Sequence, residues 1–361
     1  MNVVTQYFRE LGRESVRGWN LFWFTPTDPA TLCVIRILAG TMLFYTHAVW
    51  TLRLDEFFGA NSWISPQAAA TFQGNGYAWS YFWWIDSSAM LWTAHLAALV
   101  VFAMLALGLA SRVVAVLAYF LTVAYVNRVP GALFGLDQIN ALLAMYLMIG
   151  PSGARYSLDR WLARRRAGGE LPEPAPSISA NIAIRLIQLH MCVIYFFAGT
   201  SKLMGPTWWE GTALWGAFAN AEYQSLDMLW LVHYPILINI MSQVSLFWEL
   251  SYSALVWPRL TRPIVLTLAV PLHLGIAICM GMVTFGLVML FGNLAFVSPH
   301  LVRLVMERRY RHDGDGGDAD SSSAKPNTKQ GRAGESPRQE AKPSRAKRRD
   351  QGGTRASAGG R

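Results

Sequence analysis

The 361-residue chain is 53% hydrophobic and 15% charged, where an ordinary soluble domain carries about 25% charged residues, and its mean hydropathy is +0.26. This balance excludes a conventional soluble globule and predicts an all-α, polytopic transmembrane bundle. The three Cys, at 33, 192 and 279, exclude a disulfide scaffold and a CxxC metal site, and no glycine-rich nucleotide or phosphate loop is present.

Residues 1–29 form a polar, cytoplasmic or interfacial segment with Arg9, Arg13 and Arg17, and the aromatic stretch Trp19–Phe24 leads into the first span. No separate signal peptide is read here. Residues 30–310 hold about eight apolar runs: Ala30–Trp50, Ala89–Leu109, Val113–Val126, Leu133–Ile149, Ile182–Gly199, Ile236–Trp257, Ile264–Met280 and Val283–Val297. Several are shorter than the roughly 20 residues a spanning helix needs. They are too long and too uniform for the two-residue alternation of a β-barrel. Residues 311–361 are expected to be a disordered basic tail. From Ser321 to Arg361 there are eleven Lys or Arg against three Asp or Glu and no large apolar side chain to build a core. The net charge of +9 is therefore concentrated in this tail, and no specific nucleic-acid partner is predicted.

Charge orients the spans. Arg9, Arg13, Arg17, Arg112, Arg155, Arg160, Arg164, Arg165, Arg166, Arg259, Arg262, Arg303, Arg308 and Arg309 fall on one side of an eight-span arrangement, and Arg53 and Arg128 on the other. The positive-inside rule then places both termini in the cytoplasm and the tryptophan-rich segments Thr51–Ser88 and Thr200–Pro235 outside it. The expected location is a bacterial inner membrane, with lipid as the surrounding partner; the oligomeric state is left open.

Lys202 is the only lysine before residue 325. It follows an apolar run and precedes Trp208 and Trp209. A desolvated amine there has the chemistry of a general base, whereas a lysine reaching for the membrane surface has none. Arg185, Gln188, Cys192, Tyr195, Gly199 and Lys202 recur every three or four residues, so a helix puts them on one face, toward a bundle interior or a cavity. Arg36 and Arg185 are read as internal structural charges, each near a carboxylate or several helix carbonyls, with Asp137 and Glu249 as the leading partners, because an unpaired charge is costly in the membrane. His273 follows Pro271, where a kink opens polar contacts. His95 and His190 read as core histidines. No metal-ligand spacing unites the histidines, so no metal or nucleotide cofactor is expected.

Four stretches carry a resemblance: Ala30-Thr-Leu-Cys-Val-Ile-Arg-Ile-Leu-Ala-Gly, Tyr156-Ser-Leu-Asp, Tyr195-Phe-Phe-Ala-Gly-Thr-Ser-Lys-Leu with Trp208-Trp-Glu-Gly, and Pro271-Leu-His-Leu-Gly-Ile-Ala-Ile-Cys-Met-Gly-Met. Across most of Pro26–Pro299 the chain resembles bacterial HTTM proteins, whose transmembrane domain is shared with the vitamin K-dependent gamma-carboxylases. The resemblance implies an enzyme that oxygenates reduced vitamin K, or another menaquinone-like quinone, to a strong base. That base removes a γ-proton from a protein glutamate, carbon dioxide adds, and the quinone leaves as its epoxide. Lys202 is similar to the family's catalytic lysine, with His273 and Asp137 as further catalytic candidates. Tyr195, Trp208, Trp209, Gln188 and Glu249 are candidates for substrate binding. Glu210 would oppose a base role by holding the lysine protonated.

Two departures bear on activity. The carboxylases have a functional histidine near the start of the helix that Phe134–Ile149 resembles, where this chain has Asp137 and Gln138. They also carry a large soluble domain after the membrane part, where this chain has a basic tail; carboxylation would need a separate recognition partner. The alternatives are a membrane enzyme of different chemistry on a lipid, and a non-catalytic scaffold, sensor or transporter-like protein. A lateral, lipid-facing cavity at Lys202 distinguishes the enzymes from a solid scaffold.

Overall fold

A computed structural model describes residues 3–73 and 76–314. The expected tail lies, from residue 315 onward, outside the described residues. Fifteen α-helices occur among those residues: α1 Val3–Phe24, α2 Ala30–Trp50, α3 Leu54–Phe58, α4 Pro66–Phe72, α5 Ser88–Leu107, α6 Ser111–Arg128, α7 Gly135–Ile149, α8 Leu158–Arg166, α9 Ile178–Lys202, α10 Pro206–Trp209, α11 Ala213–Phe218, α12 Pro235–Leu255, α13 Arg262–Cys279, α14 Val283–Asn293 and α15 Pro299–Gly314. The only β-pairing among them is an isolated bridge between Thr27 and Ser177 that ties together the segments leading into α2 and α9.

Local chemistry sets several helix starts. The side chains of Ser65, Ser87, Ser157 and Ser177 each accept a backbone N–H of the first turn of α4, α5, α8 and α9. Asp137 does the same work from inside α7, its Oδ2 accepting the backbone N–H of Phe134 at 3.1 Å. Gly108 ends α5 with φ +71°, and a Cβ there would sit 2.1 Å from Nη1 of Arg36. Both the left-handed backbone and the approach of a buried guanidinium therefore require glycine.

The long helices pack antiparallel around two cores. Leu32, Ile35, Leu143, Ile187, Trp248, Tyr252 and Phe296 belong to one, built from α2, α7, α9, α12, α13 and α14. Leu43, Phe58, Phe82, Phe102 and Tyr125 belong to the other, built from α2, α5 and α6 with the segments after α2. A small third cluster, with Phe218, Leu231 and Ile238, seats α11 on α12. Close approach of α2 to α5 depends on Gly40, where a Cβ would lie 2.7 Å from the backbone N of Ala106.

Each apolar run expected from the sequence is helical, but the count of eight spans is not supported. Among the described residues four helical segments are long and apolar enough to cross a membrane: Ala30–Phe58, Ser88–Leu107, Ile178–Lys202 and Arg262–Cys279. A fifth results if Val283–Phe296 and Pro299–Glu307, bent by 115°, form one broken span. The shortfall has physical causes. With 15 residues α7 is only about 22 Å long, short of a hydrocarbon core of about 30 Å. Polar residues dilute the others: Arg112, Asn127 and Arg128 in α6, and Asn239, Gln243 and Glu249 in α12. These helices are apolar enough to bury against neighbours and too polar or short to stand alone in lipid.

Candidate functional site

The face shared by Arg185, Gln188, Cys192, Tyr195, Gly199 and Lys202 does turn inward: Gln188, Cys192, Tyr195 and Gly199 are buried. Seventeen residues of helix, roughly 26 Å at 1.5 Å per residue, separate Arg185 from Lys202, so the face serves several depths rather than one site. Arg185 Nη1 donates to Gln188 Oε1 at 3.0 Å, and its guanidinium lies 4.4 Å over the Phe22 ring. Gln188 Nε2 donates to the carbonyl of Ala295 at 2.8 Å. Gln188 is thus engaged with α9's own arginine and the α14 end, remote from Lys202.

The expected acidic partners of the two arginines are corrected by the geometry. Arg36 is fully buried and donates from Nη1 to the carbonyls of Leu105 (2.9 Å) and Ala106 (3.1 Å) and from Nη2 to that of Tyr156 (2.6 Å). Neither Asp137 nor Glu249 reaches Arg36 or Arg185. Helix-end carbonyls carry partial negative charge, which lets them replace a carboxylate around Arg36. Asp137 lies instead with His47, Trp50, Tyr125 and Asn140 around a separate small space between α2, α6 and α7.

Glu249 pairs with Lys202. Nζ of Lys202, at the last residue of α9, donates to Oε2 of Glu249 in α12 at 2.6 Å, and the side chains are 24% and 17% exposed. Nζ also sits 5.2 Å over the ring of Trp208. Glu210, the residue expected to oppose a base role, makes no ion pair with Lys202. The close meeting of α9 and α12 follows from Gly199, where a Cβ would be 3.0 Å from Leu250. Trp208 is placed by Gln243 of α12, whose Nε2 donates to its carbonyl at 2.8 Å.

Lys202, Trp208 and Glu249 line a cavity of about 460 Å³ between α10, α11, α12 and α13. Its other walls include Phe218, Met241, Trp248, Pro271, Leu272 and His273. The volume lies within the range of roughly 300–1,000 Å³ typical of small-molecule sites. The walls are apolar apart from the ion pair, Ser245 and His273. Trp209 is not among them: it is 66% exposed and donates its indole N–H to the carbonyl of Leu203 at 2.7 Å. Tyr195 is fully buried behind the cavity rather than lining it.

Behind the wall runs a closed hydrogen-bond chain. His273 Nδ1 is 2.7 Å from the carbonyl of Ala269, which can only accept, so Nδ1 carries the proton. Nε2 of a neutral ring then accepts from the Tyr195 hydroxyl at 3.1 Å. The Tyr195 oxygen accepts from Asn293 Nδ2 at 2.8 Å, and Asn293 Oδ1 accepts from the Tyr252 hydroxyl at 2.7 Å. Both ring nitrogens of His273 are occupied, and the imidazole holds its place as part of the wall. Tyr252, Asn293 and Trp248 escaped sequence reasoning. A lone Asn inside the apolar run Val283–Phe296 was the available signal for Asn293; Trp248 directly precedes Glu249, and its neighbourhood showed only in the fold.

The other two histidines read as core residues are hydrogen-bonded. His95 lies 2.9 Å from Thr51 Oγ1 and 2.7 Å from the Tyr125 hydroxyl. His190 lies 2.7 Å from the Tyr146 hydroxyl. Among the described residues no group of three His, Cys, Asp or Glu side chains is arranged to hold a metal ion.

Helices of spanning length packed with shorter apolar ones define a polytopic, membrane-embedded helical protein. The HTTM domain matches residues 24–300, most of the chain, and the protein belongs to the HTTM family. No curated protein and no solved structure matches it.

Proposed function

We propose that the protein is a membrane-embedded enzyme that takes a lipid-soluble substrate with an ionisable ring hydroxyl into the cavity at Lys202. A reduced quinone of the vitamin K or menaquinone type is the leading substrate. One observation carries this reading: a single Lys–Glu pair is set into a mainly apolar, aromatic-walled cavity between helices.

The residues present fit a flat, amphiphilic ring. Trp208, Trp248 and Phe218 offer apolar surface for it, and the Lys202–Glu249 edge is the place for its hydroxyl. The apolar walls exclude water, which strengthens the hold of the ion pair on an ionising hydroxyl. The pair takes up the hydroxyl proton, and the His273–Tyr195–Asn293–Tyr252 chain holds the His273 side of the wall in place. A reduced quinone supplies, through oxygen, the strong base that the likeness to gamma-carboxylases implies. Carboxylation of a protein glutamate would further require a recognition partner supplied from elsewhere.

This reading puts Lys202 on the extracytoplasmic side. Arg112, Arg155, Arg160, Arg164, Arg165 and Arg166 gather at the opposite helix ends, in line with cytoplasmic termini under the positive-inside rule.

Purified protein in lipid, supplied with reduced quinones and oxygen, should form quinone epoxide, and Lys202→Ala should not. Labelled bicarbonate and glutamate-containing peptides separate the two activities: epoxide without labelled peptide means oxygenation alone. Failure to consume any member of a broad reduced-quinone panel would overturn the quinone assignment.

A further inference from the structure

The likeness to carboxylases assigns the proton to a neutral lysine. The geometry points to a different division of labour, which rests on the reading of the cavity above: we infer that Glu249 is the proton acceptor and that Lys202 remains an ammonium ion throughout.

Three contacts support the inference. Lys202 Nζ is 2.6 Å from Glu249 Oε2, as close as a charge-assisted hydrogen bond between ammonium and carboxylate comes. The same Nζ faces the Trp208 ring at 5.2 Å, an arrangement that attracts a cation through the ring quadrupole and offers a neutral amine little. Carboxylate and indole therefore both favour the charged amine. His273, the only other basic side chain on the wall, has both nitrogens engaged. That leaves the second carboxylate oxygen. Oε2 of Glu249 accepts from Lys202, and no donor among the described residues reaches Oε1. An open carboxylate oxygen on the wall of an apolar cavity is the acceptor on offer.

The step balances. The substrate O–H bond breaks as its proton moves to Glu249 Oε1, and the bonding electron pair stays on the substrate oxygen. Lys202 Nζ–H, freed from a now-neutral carboxyl, turns its charge to that oxygen. The three groups carry zero net charge before and after, so no net charge is created in a low-dielectric space. A neutral lysine beside an ionised Glu249 would begin instead with an uncompensated buried carboxylate.

Two measurements test the assignment on the full chain. Lys202 becomes the sole lysine when Lys325, Lys329, Lys342 and Lys347 in the tail are replaced by Arg. In that protein, labelled with ¹³Cε-lysine, the single lysine signal at neutral pH should be that of an ammonium; a neutral-amine signal overturns the inference. The second measurement is turnover of reduced quinone. An arginine is never neutral in a protein, so Lys202→Arg separates charge from basicity. Glu249→Gln should lose on the order of 10²–10⁴-fold in kcat, the usual worth of a positioned base, and Lys202→Arg should lose much less. The reverse order overturns the assignment and restores the lysine as base, leaving the cavity reading intact. A wild type that consumes no reduced quinone overturns the cavity reading and the assignment together. Bound-quinone quenching of tryptophan fluorescence, retained in Glu249→Gln, shows that the variant's loss is chemical and not a collapse of the site.

Discussion

In the half of the bundle built on α2, α5 and α6, buried arginines are enclosed by carbonyls. Arg36 is held by those of Leu105, Ala106 and Tyr156, and Arg128, also fully buried, donates to the carbonyls of Ile64 (3.0 Å) and Gly59 (3.1 Å) and to the Ser62 hydroxyl (2.5 Å). In the half built on α9, α12 and α13, the central cation is a lysine, its partner is a single carboxylate, and a cavity lies alongside. The planar fork of arginine is suited to tying several backbone segments together, and a carbonyl cannot take up a proton. The ammonium–carboxylate pair joins only two helices, but one of its members can change protonation state. Charge in the first half is spent on holding segments in place; in the second it stays available for chemistry.

The largest effect expected from this contrast is at Arg36. Replacement by Leu leaves the carbonyls of Ala106 and Tyr156 without a donor, at about 1 kcal/mol or more each, while that of Leu105 keeps the Gly108 N–H at 3.2 Å. Thermal unfolding in detergent should therefore show a loss on the order of 2 kcal/mol or more, with Arg36→Lys recovering only part. Retention of wild-type stability in Arg36→Leu would break the comparison. Next comes the helix contact that places Arg36. Gly40→Ala puts a Cβ against the α5 backbone and should cost about 1–3 kcal/mol. Gly275→Ala, where nothing lies within 4 Å of the added atom, should stay within about 1 kcal/mol of the parent.

The ion pair should behave in the opposite way. Lys202→Met combined with Glu249→Leu removes both charges together, and such replacements are often neutral or stabilising. The double variant should stay within about 1 kcal/mol of wild type in the same unfolding assay and, under the proposed function, lose quinone turnover altogether. A collapse as large as that of Arg36→Leu would show that the pair is structural.

The smallest effect concerns pH. Asp159, in the polar turn at the start of α8, is pushed up by partial burial, but donors from Ser111 N, Ser111 Oγ and Ala110 N outweigh this and hold its carboxyl below the usual range. A depressed folded-state value means that its contribution is present above the unfolded aspartate value of about 3.9 and is lost as the pH falls below it. Melting temperature should therefore drop on acidification below about pH 4, and Asp159→Asn should flatten that part of the curve. An unchanged acid limb in Asp159→Asn would remove Asp159 from the polar network at this end of the bundle. The neighbouring ties of Arg155 to Asp28 and Glu173, and of Arg303 to Asp28, lie at the same end.

Composition and periodicity alone determined that this chain is helical and membrane-embedded, where its eight most apolar helices run, and that Lys202 is unusual. Those features are local: an apolar run of sufficient length has little choice in lipid but to form a helix, and a lone lysine is visible by counting. The number of spans was not local, since α6, α7, α12 and α14 are apolar enough to bury but depend on neighbours to do so. Partner choice was least legible of all. Asp137, Glu249, Arg36 and Arg185 were recognised as costly charges, yet which of them met was set by the crossing of α9 over α12 at Gly199 and by the carbonyls of the α5 end around Arg36. Likewise Trp209, adjacent to Trp208, turned away from the cavity because α10 is a single turn that presents only one of the two indoles. Burial cost dictates that a charge in the membrane must be satisfied; only the three-dimensional packing decides by what, and thereby which charge is left open to react.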